Sequence, residues 1–264
     1  MLIACSTSAF KIPLADAVAE IARLNFEAVD LIAIKAWGHV NAASVADDYE
    51  GQATAIETLL AKHHLRCAAI NLAVAHPHQR ADADVNAQRL REVDAMTRLA
   101  RRLDAQAVSF YPGYKTAGRP WDALLADTVA TVKEMLAAAR PSGIPLLIEP
   151  HYDTPFQTPD QIRPLLQALP DLRIAYDPSH LAMQQIPLPQ TEFLLDRAAH
   201  VHLRDAAPGK MCERFGQGTV DFDWLLGALR ERAYAGAVSI EYLPKADGDP
   251  RPDIIALRDR LLKA

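Results

Sequence analysis

Cysteine is scarce in this 264-residue chain: Cys5, Cys67 and Cys212 are its three, widely separated and odd in number. No Cys-x-x-Cys or zinc-ribbon spacing occurs, so a disulfide framework and a cysteine-built zinc site both lack a basis. Such usage fits a reducing, cytoplasmic setting. Long apolar runs are missing too: none reaches the roughly 18 residues of a membrane helix. The opening Met-Leu-Ile-Ala-Cys5 lacks the basic segment and apolar core of a lipoprotein signal, and reads as a first strand. There is no basic excess. The 28 Lys and Arg face 33 Asp and Glu, a net charge of −5, which makes a poor general nucleic-acid binder, though it leaves room for a local basic groove. No linker or low-complexity stretch divides the chain. With half its residues hydrophobic and 23% charged, it reads as globular, not disordered, collagen-like or coiled-coil.

What is present is alternation. Short apolar runs predict strands over Leu2–Cys5, Val29–Ile34, Cys67–Val74, Ala107–Tyr111, Pro145–Glu149, Leu172–Asp177, Ala199–Leu203 and Val238–Glu241. Between them, helical spacing predicts helices over Pro13–Asn25, Tyr49–His64, Asp84–Leu103, Trp121–Arg140, Pro159–Leu169, Phe222–Arg232 and Pro252–Leu262, with a broken helical stretch after Asp177 that ends near Asp196. Strict alternation implies a parallel sheet with helical crossovers. Runs such as Leu146-Leu147-Ile148 are continuously apolar, as strands buried on both faces should be. Eight such units predict an α/β fold closed into one (β/α)8 barrel spanning residues 1–264. The rival, an open doubly wound sheet, finds no glycine-rich phosphate loop after strand one, where Ser6-Thr7-Ser8-Ala9-Phe10 stands. Loop lengths agree with closure. Helix-to-strand connections are short (Pro170-Asp171, Tyr234-Ala235-Gly236), whereas strand-to-helix connections such as Arg204–Asp221 are long and polar. A barrel enzyme builds its site on that second rim.

Four late strands end on groups that can bind a metal. Strand five ends in Glu149, strand six in Asp177 followed by Pro-Ser-His180, strand seven carries His200 and His202, and strand eight ends in Glu241. A carboxylate on an apolar strand is costly if buried unpaired, and three converging ones repel each other. One divalent cation answers both problems. Two Glu, one Asp and one His form an oxygen-rich set suited to Mn2+ foremost, and to Mg2+, Co2+ or Zn2+. His200 and His202 share one side of their strand. His202, nearer its C-terminal end, is the better ligand, and His200 belongs a layer below. Arg204 continues on that side, facing either a substrate oxygen or a carboxylate such as Asp205.

The segments Ile-Glu149-Pro-His, Tyr-Asp177-Pro-Ser-His180, His200-Val-His202-Leu-Arg-Asp205, Gly216-Gln217-Gly218-Thr-Val-Asp221 and Ser-Ile-Glu241 together resemble the xylose isomerase-like TIM barrels. That superfamily comprises sugar isomerases, epimerases and related dehydratases, and includes endonuclease IV. The likeness covers strands five to eight; the first half matches in layout, with Asn25-Phe-Glu-Ala-Val29-Asp30-Leu resembling the family's approach to strand two. The resemblance implies that Glu149, Asp177, His202 and Glu241 hold the metal and that His180 touches substrate or metal. It also implies a divalent-metal-dependent isomerase or epimerase of a small sugar, keto-sugar or sugar acid. The proton next to a carbonyl is abstracted and a metal-stabilised enediolate forms. Glu149 and Glu241 are the candidate base and acid.

The same enolate chemistry also serves a dehydratase or lyase. The ketose 3-epimerase branch carries an Arg six residues after the strand-seven histidine and a Glu six after the strand-five glutamate; Pro208 and Pro155 stand there instead. An endonuclease IV-like phosphoesterase would need more ligands and an Asp-x-His after strand seven, and no His lies between Pro208 and Asp221. A barrel that binds carbohydrate without turning it over would not need the complete set of ligands. In the first half, Trp37, Asn71 and His76 stand at or beyond strand ends and suit a sugar pocket. His78 and His151 are further loop histidines, and Gly216-Gln217-Gly218 reads as a turn that positions the next helix. The expected partner is a small carbohydrate, not nucleic acid or membrane, and family members often form homo-oligomers.

Overall fold

The eight apolar runs form eight parallel strands in this computed structural model, which describes residues 1–35, 38–75, 82–115, 117–244 and 248–263. They are β1 (Leu2–Ser6), β2 (Ala28–Ala33), β3 (Arg66–Leu72), β4 (Ala107–Phe110), β5 (Leu146–Ile148), β6 (Arg173–Tyr176), β7 (Ala198–Leu203) and β8 (Ala237–Ile240). Each pairs with the next in sequence order and β8 pairs with β1, so the sheet closes. The fold is a single (β/α)8 TIM barrel. Around it lie α1 (Leu14–Arg23), α2 (Ala42–Asp47), α3 (Tyr49–Lys62), α4 (Ala83–Arg102), α5 (Trp121–Ala139), α6 (Pro159–Ala168), α7 (Ser179–Met183), α8 (Glu192–Leu195), α9 (Phe222–Glu231) and α10 (Arg251–Leu261).

Local chemistry explains these boundaries. The side chains of Asp48, Asp82 and Asp221 accept backbone N–H bonds at the starts of α3, α4 and α9. They satisfy donors that a helix start leaves without partners. One element escapes the periodicity: α2, six residues long, is started by Asn41, whose side chain accepts from the Ser44 N–H. So short a helix carries too few apolar positions to show a helical period.

The main core lies between strands and helices and takes in Leu31, Ile70, Met96, Leu99, Val132, Ile162 and Leu225. Inside the barrel the residues of the lower layer are mostly alanine. Ala28, Ala107, Leu147, Ala175 and Ala237 are fully buried. Each precedes Asp30, Ser109, Glu149, Asp177 or Ser239 by two positions and so shares its face of the sheet. The barrel is therefore apolar towards its N-terminal end and polar towards its C-terminal rim. Two register shifts flank that polar layer. Ala68 of β3 is passed over between the pairs Val29–Cys67 and Asp30–Ala69, and Ala199 of β7 between Ile174–Ala198 and Ala175–His200. Such bulges re-aim the side chains that follow them, here Asn71 on β3 and His200 and His202 on β7.

Candidate metal centre

Glu149 and Glu241 stand one residue beyond β5 and β8, where their backbone N–H groups still donate across the sheet to Phe110 and Leu203. Asp177 stands one residue beyond β6, and His202 lies within β7. All four are at least 95% buried, with exposures of 3%, 5%, 2% and 0% in the order Glu149, Glu241, Asp177, His202. One ligand atom from each lies within 4.8 Å of the other three. Four ligands about 2.0–2.2 Å from one ion lie about 3.3–3.6 Å apart in a tetrahedral site, so the cluster would draw in around a cation. Three carboxylates and an imidazole are also the donor set that hard or borderline divalent ions take. The residues fit a metal.

The atoms within the cluster are tightly interlocked. His202 Nδ1 lies 2.8 Å from Glu149 Oε1 and 3.6 Å from Glu241 Oε2. Burial alone would lower the pKa of the His202 imidazole, but Glu241, Glu149 and Asp30 raise it well above its ordinary value. Burial pushes Glu149 up, but His202 outweighs it and holds that carboxyl below its usual range. Glu241 goes the other way: burial, aided by Glu149 and Asp177, pushes it up to about 7 against the pull of His202 and Arg204. The two glutamates thus differ in proton affinity.

Arg204 is 2% exposed, and it pairs with the cluster rather than with Asp205. Its Nη1 donates to Glu241 Oε2 at 2.8 Å and to the Glu241 carbonyl at 2.9 Å, its Nη2 to Asp177 Oδ2 at 2.7 Å, and its Nε to Ser179 Oγ at 2.9 Å. Its Nη2 also lies 3.2 Å from His180 Nε2. Guanidinium only donates, so that nitrogen accepts and the neutral His180 ring carries its hydrogen on Nδ1. Burial, His151 and Arg204 all hold the His180 pKa well below its ordinary value. Its Nδ1 has no partner among the described residues. The half-buried His151 ring lies against His180, centroids 3.7 Å apart, and Tyr111 meets His151 edge-on. Asn71 Nδ2 donates to Glu241 Oε1 at 3.3 Å.

Asp205 turns away from Arg204 and anchors the long loop after β7. Its Oδ2 accepts from the backbone N–H groups of Gly216 and Gly218 at 2.8 and 3.0 Å, and its Oδ1 from that of Ala206 at 2.9 Å. The Gly216-Gln217-Gly218 turn is thus pinned from inside. Gly216 has φ +81°, a left-handed backbone natural to glycine.

The sequence reasoning missed one residue. Asp30 of β2 is fully buried, and its Oδ2 lies 3.0 Å from His202 Nε2 and 2.9 Å from His200 Nε2. The signal was available: Asp30 is the one charge in the apolar run Ala-Val-Asp-Leu-Ile-Ala, the same anomaly that marked the other carboxylates. Trp37, His76 and His78 lie outside the described residues.

The sequence profile of the xylose isomerase-like TIM barrels matches residues 18–262. The chain belongs to this family. No curated protein matches it in sequence. Among solved structures, it is similar to the apo 3-keto-D-glucoside 4-epimerase YcjR from E. coli, with a TM-score of 0.78 at 15% identity over 98% of this chain and 99% of that one. It is also similar to the probable 3-DHS dehydratase AsbF from Bacillus anthracis, with a TM-score of 0.75 at 17% identity over 100% and 99% of the two chains. The IolI protein with a bound zinc atom aligns with a TM-score of 0.75 at 15% identity over 99% and 97%. At such identities the likeness is one of fold. Among the described residues, no helix of this family member is long and apolar enough to cross a membrane.

Proposed function

We propose that this chain is a divalent-metal-dependent isomerase or epimerase of a small sugar, keto-sugar or sugar acid. The observation that carries the reading is the convergence of Glu149, Asp177, His202 and Glu241 at the C-terminal rim of the barrel, each nearly or fully buried. In this reading those four hold one cation, Mn2+ foremost. The cation supplies Lewis acidity, which steadies negative charge on substrate oxygens as a neighbouring carbon loses its proton. Glu149, ionised beside His202, accepts that proton. Glu241, the second glutamate of the set, can give one back, to the opposite face in an epimerase or to the adjacent carbon in an isomerase. His180, with its Nδ1 hydrogen unpartnered, and Asn71 orient substrate hydroxyls, and the His151–Tyr111 edge gives an apolar wall.

Arg204 balances charge. Glu149, Asp177 and Asp30 carry three negative charges, Arg204 offsets one, and a divalent ion would offset the remaining two once His202 is neutral, which leaves Glu241 free to hold the proton it gives back. Dehydration is the second reading, favoured by the fold's likeness to the probable dehydratase. There the same carbanion expels a β-hydroxyl.

An NMR screen of sugars, keto-sugars and sugar acids in D2O, incubated with Mg2+ or with Mn2+ that is chelated before measurement, tests the proposal. The expected result is cation-dependent loss of one C–H signal next to a carbonyl, with an isomer or epimer accumulating. A dehydrated product instead would select the second reading. Failure of any such compound to exchange, in protein shown to bind metal, would sink both.

A further inference from the structure

We infer that Asp30 is a positioning residue for this metal centre: its carboxylate fixes the orientation and tautomer of His202, so that Nδ1 rather than Nε2 is presented to the cation. The inference rests on the four-ligand reading proposed above and adds a residue outside that set.

Asp30, His200 and His202 also lie close enough together to hold a cation themselves, and metal on Nε2 would be the mark of that arrangement. Oδ2 of Asp30 lies 3.0 Å from Nε2 of His202 and 2.9 Å from Nε2 of His200, and all three side chains have no exposure. The two imidazoles stand at 83° with centroids 4.8 Å apart, which lets both reach one oxygen. An ionised carboxylate only accepts, so both Nε2 atoms carry hydrogen. With Nε2 committed, the lone pair of a neutral His202 ring sits on Nδ1, the atom that Glu149 and Glu241 approach at 2.8 and 3.6 Å.

A carboxylate hydrogen-bonded to the far nitrogen of a ligating histidine fixes its ring and raises its basicity. Packing alone does not explain Asp30. Its Oδ1 has no partner among the described residues, nor do the nearby buried His200 Nδ1 and Ser239 Oγ. A side chain kept only to fill the barrel would be better replaced by an apolar one. The chain keeps a charge here, on the central layer of β2, where it can reach β7 across the barrel.

Chelator-stripped protein titrated with Co2+ tests this directly, because cobalt reports both affinity and ligand geometry through its visible bands. Asp30→Asn should weaken Co2+ binding about 10–100-fold and alter the bands, and Asp30→Glu, which restores the charge, should recover part of the loss. His200→Gln breaks the other Asp30 contact and should leave Co2+ affinity within about threefold of wild type. NMR of the Zn2+-loaded wild type should show His202 with hydrogen on Nε2 and metal on Nδ1. This measurement decides the matter alone if Asp30→Asn does not fold. The inference is overturned by an Asp30→Asn affinity within threefold of wild type, by a His200→Gln loss equal to that of Asp30→Asn, or by metal on Nε2. A wild type that binds no Co2+ overturns the four-ligand reading and the inference with it. Binding with an unchanged Asp30→Asn overturns the inference alone.

Discussion

Nδ1 of His202 stands 2.8 Å from Oε1 of Glu149, deep in the barrel where neither is screened by water. A lone pair cannot face a carboxylate at that distance, so without metal the nitrogen holds a proton, and a cation must displace it. The raised pKa of His202 says the same. Metal binding should therefore release about one proton, from His202. Affinity should climb roughly tenfold per pH unit through the neutral range. The stability of the metal-free protein runs the opposite way. A histidine whose folded pKa is raised contributes stability that is complete below its unfolded value, near 6.5, and is lost as pH rises through the folded value. Calorimetric titrations in two buffers of different ionisation enthalpy count the protons, and thermal melts in chelator give the stability profile. Binding without proton release would refute the arrangement.

Glu241→Gln separates holding the metal from moving the proton. The amide oxygen can still face a cation, so metal should be retained, though more weakly. A carboxamide cannot take up or deliver a proton, and turnover should drop about 10²–10⁴-fold. Deuterium exchange at the substrate carbon, which Glu149 begins, should persist while the inverted or rearranged product no longer forms. Product formation at the wild-type rate would remove Glu241 from the acid role and leave it as a ligand only.

The barrel was legible because each strand is an uninterrupted apolar run and each loop asymmetry follows from where a barrel puts its chemistry. Glu149, Asp177, His202 and Glu241 stood out as polar residues closing apolar strands, and the fold brings them together. Asp30 carried the same signal, but it lies in the middle of β2 instead of at its end, and no pattern in sequence says that β2 faces β7 across the interior. For Arg204 the sequence leaves a substrate oxygen and a carboxylate such as Asp205 equally open. The structure shows Asp205 pointing away because three backbone N–H groups, from Ala206, Gly216 and Gly218, claim its oxygens.

Arg204→Met should expose the repulsion that Arg204 suppresses. It holds Asp177 and Glu241 at 2.7 and 2.8 Å, all three nearly dry. Removing one partner of a buried ion pair costs about 3–5 kcal/mol. In a chain of this size that lowers the melting temperature on the order of 10 °C. The deficit should be large in chelator and shrink when Mn2+ is added, since a divalent ion neutralises the same oxygens. Equal losses with and without metal would show that Arg204 acts through packing alone.

Two glycines near the loop after β7 should respond in opposite directions to alanine. At Gly218, a Cβ would fall on Asp205 Oδ1 and 2.5 Å from the Ala206 carbonyl oxygen. The carboxylate that pins the loop would have to move, and with it the bonds to Gly216 and Gly218. Gly218→Ala should cost at least about 1 kcal/mol and loosen the segment bordering the rim, raising KM for whatever substrate the screen finds. Gly227 lies inside α9, where a Cβ meets nothing within 4 Å. There alanine removes only the entropic penalty of glycine in a helix, and Gly227→Ala should stabilise by about 0.5–1 kcal/mol. Urea melts of the two variants measure both effects. A Gly218→Ala protein as stable as wild type would mean that Asp205 is not what holds the loop.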